Sequence, residues 1–265
     1  MGEAIVITSG KGGVGKTTTS ANLGTALALQ GKKVCLIDTD IGLRNLDVIL
    51  GLENRIIYDL VDVIEGRCKV QQALVKDKRF ENGLFLLPAA QTVDKNAVNP
   101  EQMKTLITEL KRDYDYILID CPAGIEQGFK NAIAGADRAI VVTTPEISAV
   151  RDADRIIGLL EQEDIEPPKL IINRIKRHLM NNGDALDVND ITTHLSIDLL
   201  GIILDDESVI SSSNKGEPVV MDPSNPASIG YRNIARRILG ESVPLMSIDT
   251  GKPGFLGKLK ALFSK

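Results

Sequence analysis

The sequence predicts an α/β fold, a doubly wound and mostly parallel sheet with helices on both faces. Short runs rich in Ile, Val and Leu recur along the 265 residues without strict polar alternation, as expected of strands that helices cover on both faces. Amphipathic stretches separate these runs, and strands that alternate with such helices form right-handed crossovers in a parallel sheet. A glycine-rich motif between the first run and the first stretch is the third observation.

The elements follow in order along the chain. Seven runs are predicted as strands: Ile5–Thr8, Lys33–Asp38, Leu84–Leu87, Tyr116–Asp120, Ala139–Thr143, Leu170–Asn173 and Leu199–Ile203. Six amphipathic stretches are predicted as helices: Thr17–Leu29, Pro100–Arg112, Ile125–Ala134, Glu146–Glu163, Asp187–Leu195 and Asn225–Leu239. We therefore expect one domain at 1–240. The Gly and Pro residues of 241–254 predict a flexible linker before a separate element at 255–265.

Composition limits the classes of function. With 43% hydrophobic and 25% charged residues, the chain can bury a substantial core. No window of about 18 apolar residues exists, so we expect no membrane-spanning helix. Three widely spaced cysteines favour reduced core thiols in a cytoplasm over disulfides or a metal site. The net charge of −5 and the absence of Trp argue against general nucleic-acid binding.

Residues Gly10–Thr18 carry the strongest functional signal. They match the phosphate-binding pattern G-x-x-x-x-G-K-[ST], and they lie between a predicted strand and a predicted helix. Glycines let successive backbone N–H groups point at phosphate oxygens. Lys16 would reach the β- and γ-phosphates, and the Thr17 hydroxyl would ligate Mg²⁺. The motif therefore predicts a nucleoside triphosphate and Mg²⁺ at the N-terminus of the first helix.

A second lysine, Lys11, also lies on this loop. An ordinary phosphate loop needs only Lys16, and we expect Lys11 to point away from its own cradle of N–H groups. A cation there is useful if it reaches a nucleotide held by another subunit. The alternative is a solvated loop lysine, and the residues alone leave both interpretations open.

The run Lys11–Thr18 resembles the deviant Walker A motif of the ParA/MinD family of ATPases. The similarity extends from Met1 to Lys265. Within the family, the sequence is most similar to the branch of ATPases that positions the bacterial division site. The resemblance implies that Lys11 contacts the nucleotide of the partner in an ATP-bound homodimer, with Lys11 and Lys16 acting in catalysis. It implies that the nucleotide is bound by Gly10, Lys11, Gly12, Gly13, Val14, Gly15, Lys16, Thr17 and Thr18.

Three carboxylates lie at or just after the ends of predicted strands, and ligands bind at such strand ends in this architecture. They are Asp38, Asp40 and Asp120. A single such residue can be a helix cap or a loop ion pair, but three beside a phosphate loop favour Mg²⁺ and water handling. Residues 38–47 resemble the switch I segment of the family, and residues 120–124 resemble its switch II. By that resemblance Asp40 orients the attacking water, and Thr17, Asp38 and Asp120 hold the metal.

Base recognition follows mainly from the resemblance, with modest support from residue chemistry, since an Asn amide can both donate and accept hydrogen bonds at the adenine edge. Asn173 and Arg174 resemble an adenine-contacting Asn-Arg pair. Residues 201–209 resemble the loop that borders the base, which adds Asp205 and Asp206 to the expected nucleotide contacts. The guanine-specific pattern Asn-Lys-x-Asp does not occur in the sequence, so ATP is favoured over GTP.

The C-terminal segment Phe255–Lys265 has the pattern of a membrane-surface helix. One helical stripe carries its apolar residues, Phe255, Leu256, Leu259, Leu262 and Phe263. Lysines lie off this stripe, which is typical of a helix in an anionic membrane interface. The alternative is a helix that docks onto the core through the same stripe. Because one such helix binds weakly, two on a dimer would add avidity, and ATP would control attachment.

The leading hypothesis is therefore a slow, partner-stimulated and membrane-stimulated ATPase, cytoplasmic and reversibly bound to the inner face of the cell membrane. The helix beginning at Glu146 resembles the surface where the division inhibitor MinC and the topological factor MinE dock, although its alternating Arg and Asp residues also suit a solvated face. Two alternatives remain at this point. One is a ParA-type DNA partition ATPase, and the other is an iron–sulfur carrier, for which Cys121 is a lone thiol.

Overall fold

The computed structural model describes residues 1–94, 97–163, 165–182 and 184–246. Its strands are β1 (Glu3–Thr8), β2 (Val34–Asp38), β3 (Val75–Asp77), β4 (Leu84–Leu87), β5 (Tyr116–Asp120), β6 (Arg138–Thr143), β7 (Lys169–Ile175) and β8 (Leu199–Leu204). They form one sheet in the order β3-β4-β2-β5-β1-β6-β7-β8. All neighbours pair in parallel except β3 and β4. The predicted fold class is confirmed, and the short antiparallel edge strand β3 was missed because three residues carry no periodic signal.

Helices flank the sheet. They are α1 (Lys16–Leu29), α2 (Leu46–Leu50), α3 (Leu60–Ile64), α4 (Val70–Ala73), α5 (Pro100–Leu110), α6 (Gln127–Ile133), α7 (Ile147–Leu160), α8 (Arg177–Asn182), α9 (Val188–Leu195), α10 (Ser208–Asn214) and α11 (Pro226–Ile238). The six predicted helices correspond to α1, α5, α6, α7, α9 and α11. The helices that were missed have four to seven residues each. Two turns of a helix are too few to show a 3.6-residue period.

One prediction about α1 was wrong, because this helix is not amphipathic. It is buried on nearly all sides, since it packs on the sheet and is covered by α11 and α2. Its polar residues are therefore inside the protein. Asn22 accepts a hydrogen bond from the Val220 N–H at 2.9 Å and donates one to the Thr18 carbonyl at 2.8 Å. A buried amide must be paired in this way, and the pairs fix α1 against the segment before α11.

The core lies in two layers, one on each face of the sheet. Cys35 and Cys121 are buried free thiols, which confirms their predicted place in the core, and Cys68 is half-buried and also free. Within the described residues, no helix is both long enough and apolar enough to cross a bilayer.

The chain beyond α11 lies against the domain as far as it is described. The Arg237 guanidinium donates hydrogen bonds to the carbonyls of Val243 at 2.9 Å, Pro244 at 2.7 Å and Leu200 of β8 at 2.8 Å. Residues 241–246 are the first part of the expected linker. The rest of it, and the predicted membrane-targeting segment Phe255–Lys265, lie outside the described residues.

Candidate nucleotide-binding site

The predicted phosphate loop connects β1 to α1 at the carboxyl edge of the sheet. Gly13 and Gly15 have φ values of 80° and 94°, in the left-handed region that favours glycine. Gly15 caps α1, so the free N–H groups of the first helical turn face the loop. A Cβ built on Gly10 would lie 2.0 Å from the Asp152 carbonyl oxygen of α7. The loop is therefore held closely between two helices, in the shape of an anion cradle.

Asp38 and Asp120 lie side by side, because they end the neighbouring strands β2 and β5 in the same register. Both carboxyl groups are almost completely buried. Burial, followed by repulsion from Asp120, raises the pKa of Asp38 to about 7. Burial is also the main cause that raises the pKa of Asp120 to about 6. Two adjacent buried carboxylates are costly to ionise together, and a divalent cation in front of them would offset that cost.

Hydroxyl groups complete this arrangement, and two of the residues that carry them, Ser20 and Thr39, were not predicted from the sequence. Ser20 of α1 donates a hydrogen bond to Asp120 Oδ1 at 2.8 Å, and Thr17 also bonds this carboxylate. The Thr39 hydroxyl donates to the Asp120 backbone carbonyl at 2.7 Å. The positive charge of Lys16 further lowers the pKa of Asp120, against the effect of burial. Ser20 follows Lys16 by one helical turn, which is the only sequence signal that could have indicated it.

The three predicted metal ligands therefore fit Mg²⁺. Thr17 offers a hydroxyl oxygen, and Asp38 and Asp120 offer carboxylates in a buried, hydrogen-bonded cluster. Such oxygen donors suit Mg²⁺, which keeps several waters and takes further ligands from phosphates. No group of three or more His, Cys, Asp or Glu side chains is arranged for a metal in the described part of the chain.

Asp38 also organises the predicted switch I. Its carboxylate accepts hydrogen bonds from the backbone N–H groups of Asp40 at 2.9 Å, Asn45 at 3.3 Å and Leu46 at 3.2 Å. Gly42 makes the turn in between with a φ of 90°. Asp40 is thereby placed beside the buried acids, and its charge contributes to the raised pKa of Asp120. The three acids predicted from the sequence are brought together.

Lys11 lies on the exposed side of the phosphate loop. Its Nζ atom donates to Ser148 Oγ at 2.9 Å and lies 3.2 Å from Glu146 Oε2, at the start of α7. The Lys11 side chain is 39% exposed and that of Glu146 is 63% exposed. The ammonium group is therefore held at the rim, outside the cradle formed by its own loop. Glu146 and Ser148 were not predicted as site residues, because α7 approaches the loop only in the folded chain.

A cavity of about 310 Å³ opens beside the phosphate loop at the end of β7. The ladder between β7 and β8 is irregular between Ile172 and Ile175, and Arg174 has a positive φ of 56°. Such a bulge redirects side chains out of the sheet. Asn173 is buried here and donates to the Val14 carbonyl at 2.8 Å, which leaves one amide hydrogen and one lone pair for a ligand.

The remaining predicted base contacts, Asp205 and Asp206, line the same cavity. Lys176 lies 3.6 Å from the Asp205 carboxylate. The Asp206 carboxylate accepts a hydrogen bond from the Ser208 N–H at 2.9 Å, and bonds to Ser208 lower the pKa of Asp206. Both carboxylates thus have protein partners. The cavity is formed by the four predicted residues together with parts of the phosphate loop and α10.

The fold and this site define a nucleotide-binding ATPase of the P-loop class with a deviant Walker A loop. A family model described as an AAA domain matches residues 2–166. The septum site-determining protein MinD of Bacillus subtilis (strain 168) is 73% identical over 264 residues, which cover 99% of this chain and 98% of that protein. The chain belongs to the MinD family of septum site-determining proteins.

Two solved structures extend the comparison. The MinC:MinD cell division protein complex of Aquifex aeolicus superposes with a TM-score of 0.86 at 53% identity, covering 92% of this chain and 98% of that one. MinD of Pyrococcus horikoshii OT3, complexed with Mg-ADP, superposes with a TM-score of 0.81 at 31% identity and covers 92% and 100%. Nucleotide and Mg²⁺ binding, and association with MinC, are thus found within the family.

Proposed function

We propose that this chain is an ATP-driven switch that dimerises around ATP, attaches to the inner face of the cell membrane and recruits a division inhibitor to control septum placement. The observation that carries the proposal is the position of Lys11, whose ammonium group is held at the exposed rim of the loop. A second copy facing this rim would bring the two phosphate loops opposite each other. Each Lys11 could then reach the nucleotide of the partner.

The residues of the site have distinct roles in ATP hydrolysis. The loop N–H groups and Lys16 hold the β- and γ-phosphates, while Asn173 and the adjoining cavity receive the base. Thr17, Asp38 and Asp120 would hold Mg²⁺, which would supply positive charge to offset that of the phosphates. Asp40 orients the attacking water. Phosphoryl transfer depends on positioning and charge stabilisation more than on a strong base, so these residues suffice for slow turnover.

The two switch segments give this site a way to report hydrolysis. Thr39 is bonded to the Asp120 carbonyl, and Asp38 holds the N–H groups of the loop that follows. A change at the γ-phosphate would therefore move switch I and switch II together, and both lie on the face where a second copy would bind. ATP would favour the dimer, and ADP the monomer.

Attachment to the membrane would follow from dimerisation. The segment Phe255–Lys265 carries an apolar stripe and three lysines, and one copy of so short a helix binds a bilayer weakly. Two copies on one dimer bind with higher avidity.

The association of MinC with MinD in the Aquifex aeolicus complex supports MinC as the partner. The surface of α7, with Arg151, Asp152 and Asp154 exposed or half-exposed, is the expected docking place for MinC and for a factor such as MinE.

The test is the size of the protein under non-hydrolysable ATP, measured by light scattering. Wild type should be dimeric, whereas Lys11→Ala should remain monomeric and still bind nucleotide, because Lys16 and the loop N–H groups are unchanged. Lys104→Ala, which removes an exposed lysine of α5, is the matched control and should dimerise normally. Normal dimers of Lys11→Ala, or monomeric wild type, would refute the proposal. Sedimentation with anionic vesicles, with ATP and with ADP, tests the membrane step.

A further inference from the structure

A groove of about 570 Å³ lies beside the edge strand β8. Its apolar lining includes Met180, Val188, Ile197, Leu199, Leu245 and Met246. Leu245 is 49% exposed, and Met246 packs against the core cluster that includes Ile202. The groove is therefore an apolar depression at the surface, and nothing in the nucleotide site uses it.

The chain itself enters this groove at the last described residues. Arg237 holds the carbonyls of Val243 and Pro244 beside that of Leu200, so the segment after α11 runs along β8. Leu245 and Met246 then line the groove. Nineteen residues follow Met246, and they include the amphipathic segment Phe255–Lys265. Nine residue steps from Met246 to Phe255 span up to about 30 Å, which is enough to turn back.

The charges of the two surfaces are complementary. Asp187 and Asp198 border the groove, and the Asp198 side chain remains 86% exposed although Lys169 lies 3.9 Å from it. The segment after Asp249 contains lysines and no acidic residue, and its lysines are Lys252, Lys258, Lys260 and Lys265. An apolar stripe flanked by lysines thus matches an apolar groove bordered by carboxylates, and the tether keeps the two at high effective concentration.

We infer that in the free protein the segment Phe255–Lys265 docks into the groove beside β8, and that the membrane must displace it from there. This inference deepens the proposed function, since it concerns the same segment that would bind the bilayer. Docking protects the apolar stripe from water and reduces attachment of the monomer. If the segment is docked about nine-tenths of the time, the apparent membrane affinity of one copy falls about tenfold.

The experiment uses the absence of Trp in the chain. Phe263→Trp places one fluorophore in the segment, and acrylamide quenching is measured on full-length protein with ADP and without vesicles. The Trp should be several-fold less accessible to acrylamide in this protein than in the groove variant, which also carries Asp198→Lys and Leu245→Ser. These two substitutions oppose docking, the first by charge and the second by lost apolar contact. Leu259→Ser, within the segment itself, should expose the Trp equally and cannot disturb the fold of the domain.

Asp113→Lys with Leu29→Ser is the matched control, since it makes the same changes at exposed positions outside the groove and should leave the Trp protected. Equal quenching in wild type and in the groove variant would overturn the inference. Protection that disappears on dilution would also overturn it, because the occupant would then be a second copy.

Vesicle binding with ADP completes the test. The groove variant should bind anionic vesicles about tenfold more tightly than the control variant, as expected when a docked fraction of about nine-tenths is released. If no variant binds vesicles even with ATP while the Trp stays protected, the membrane step of the proposed function fails and docking stands. If wild type binds vesicles with ATP but the Trp is freely quenched, the proposed function stands and docking fails.

Discussion

Replacing Asp120 by Asn tests the electrostatics of the site in the protein without nucleotide. The pKa of Asp120 is about 6 in the folded chain against an ordinary value of 3.8, so the ionised side chain destabilises the fold. This difference of about two pKa units corresponds to about 3 kcal/mol at pH 8. Removing the charge in Asp120→Asn gains this free energy, but burying the Asn amide offsets about 1–2 kcal/mol of it. Asp120→Asn should therefore be more stable than wild type by about 1–2 kcal/mol at pH 8.

The sign of the pH dependence is fixed by the raised pKa. The stability that protonated Asp120 supplies is fully present below about pH 4 and is lost as the pH rises through about 6. The advantage of Asp120→Asn should therefore be small near pH 5 and grow towards pH 8.

Urea denaturation followed by far-UV circular dichroism, in EDTA and without nucleotide, measures this difference. Asp113→Asn, at an exposed position, should show no such trend. A variant less stable than wild type at pH 8, or a difference that does not change with pH, would contradict the reasoning. In the same variant ATP hydrolysis should be lost, because Asp120 is one of the residues proposed to hold Mg²⁺.

Two further substitutions test the phosphate loop. Gly10→Ala should destabilise the fold by about 1–3 kcal/mol in urea denaturation, because its Cβ would overlap the Asp152 carbonyl of α7. Gly158→Ala is the control and should be neutral or stabilising, because the space around Gly158 is open. Equal stabilities for the two would show that the loop is not held against α7. Asn173→Ala leaves the buried Val14 carbonyl without its side-chain donor and should cost about 1–3 kcal/mol. Calorimetric titration should also show weaker ATP binding, and unchanged affinity would remove Asn173 from the site.

The phosphate loop was predictable because all of its parts are contiguous. The strand β1 ends at Thr8, the glycine-rich turn follows it directly, and α1 begins at Lys16. This order leaves few other arrangements of the backbone, and the structure has the loop where the motif indicated. The acids at the ends of β2 and β5 were predictable for a related reason. The carboxyl ends of parallel strands meet at one edge, so Asp38 and Asp120 had to be near the loop once the sheet was parallel.

The sequence by itself thus determined the fold class, the phosphate loop and the acids at the strand ends, since each depends on local pattern or on the geometry of parallel strands. Only the tertiary structure decided which residues from distant segments meet. Ser20 and Thr39 bond Asp120, and the start of α7 holds Lys11, across separations that no periodicity encodes. It also decided that α1 is buried on nearly all sides, because burial depends on which neighbours cover a helix and not on its own sequence.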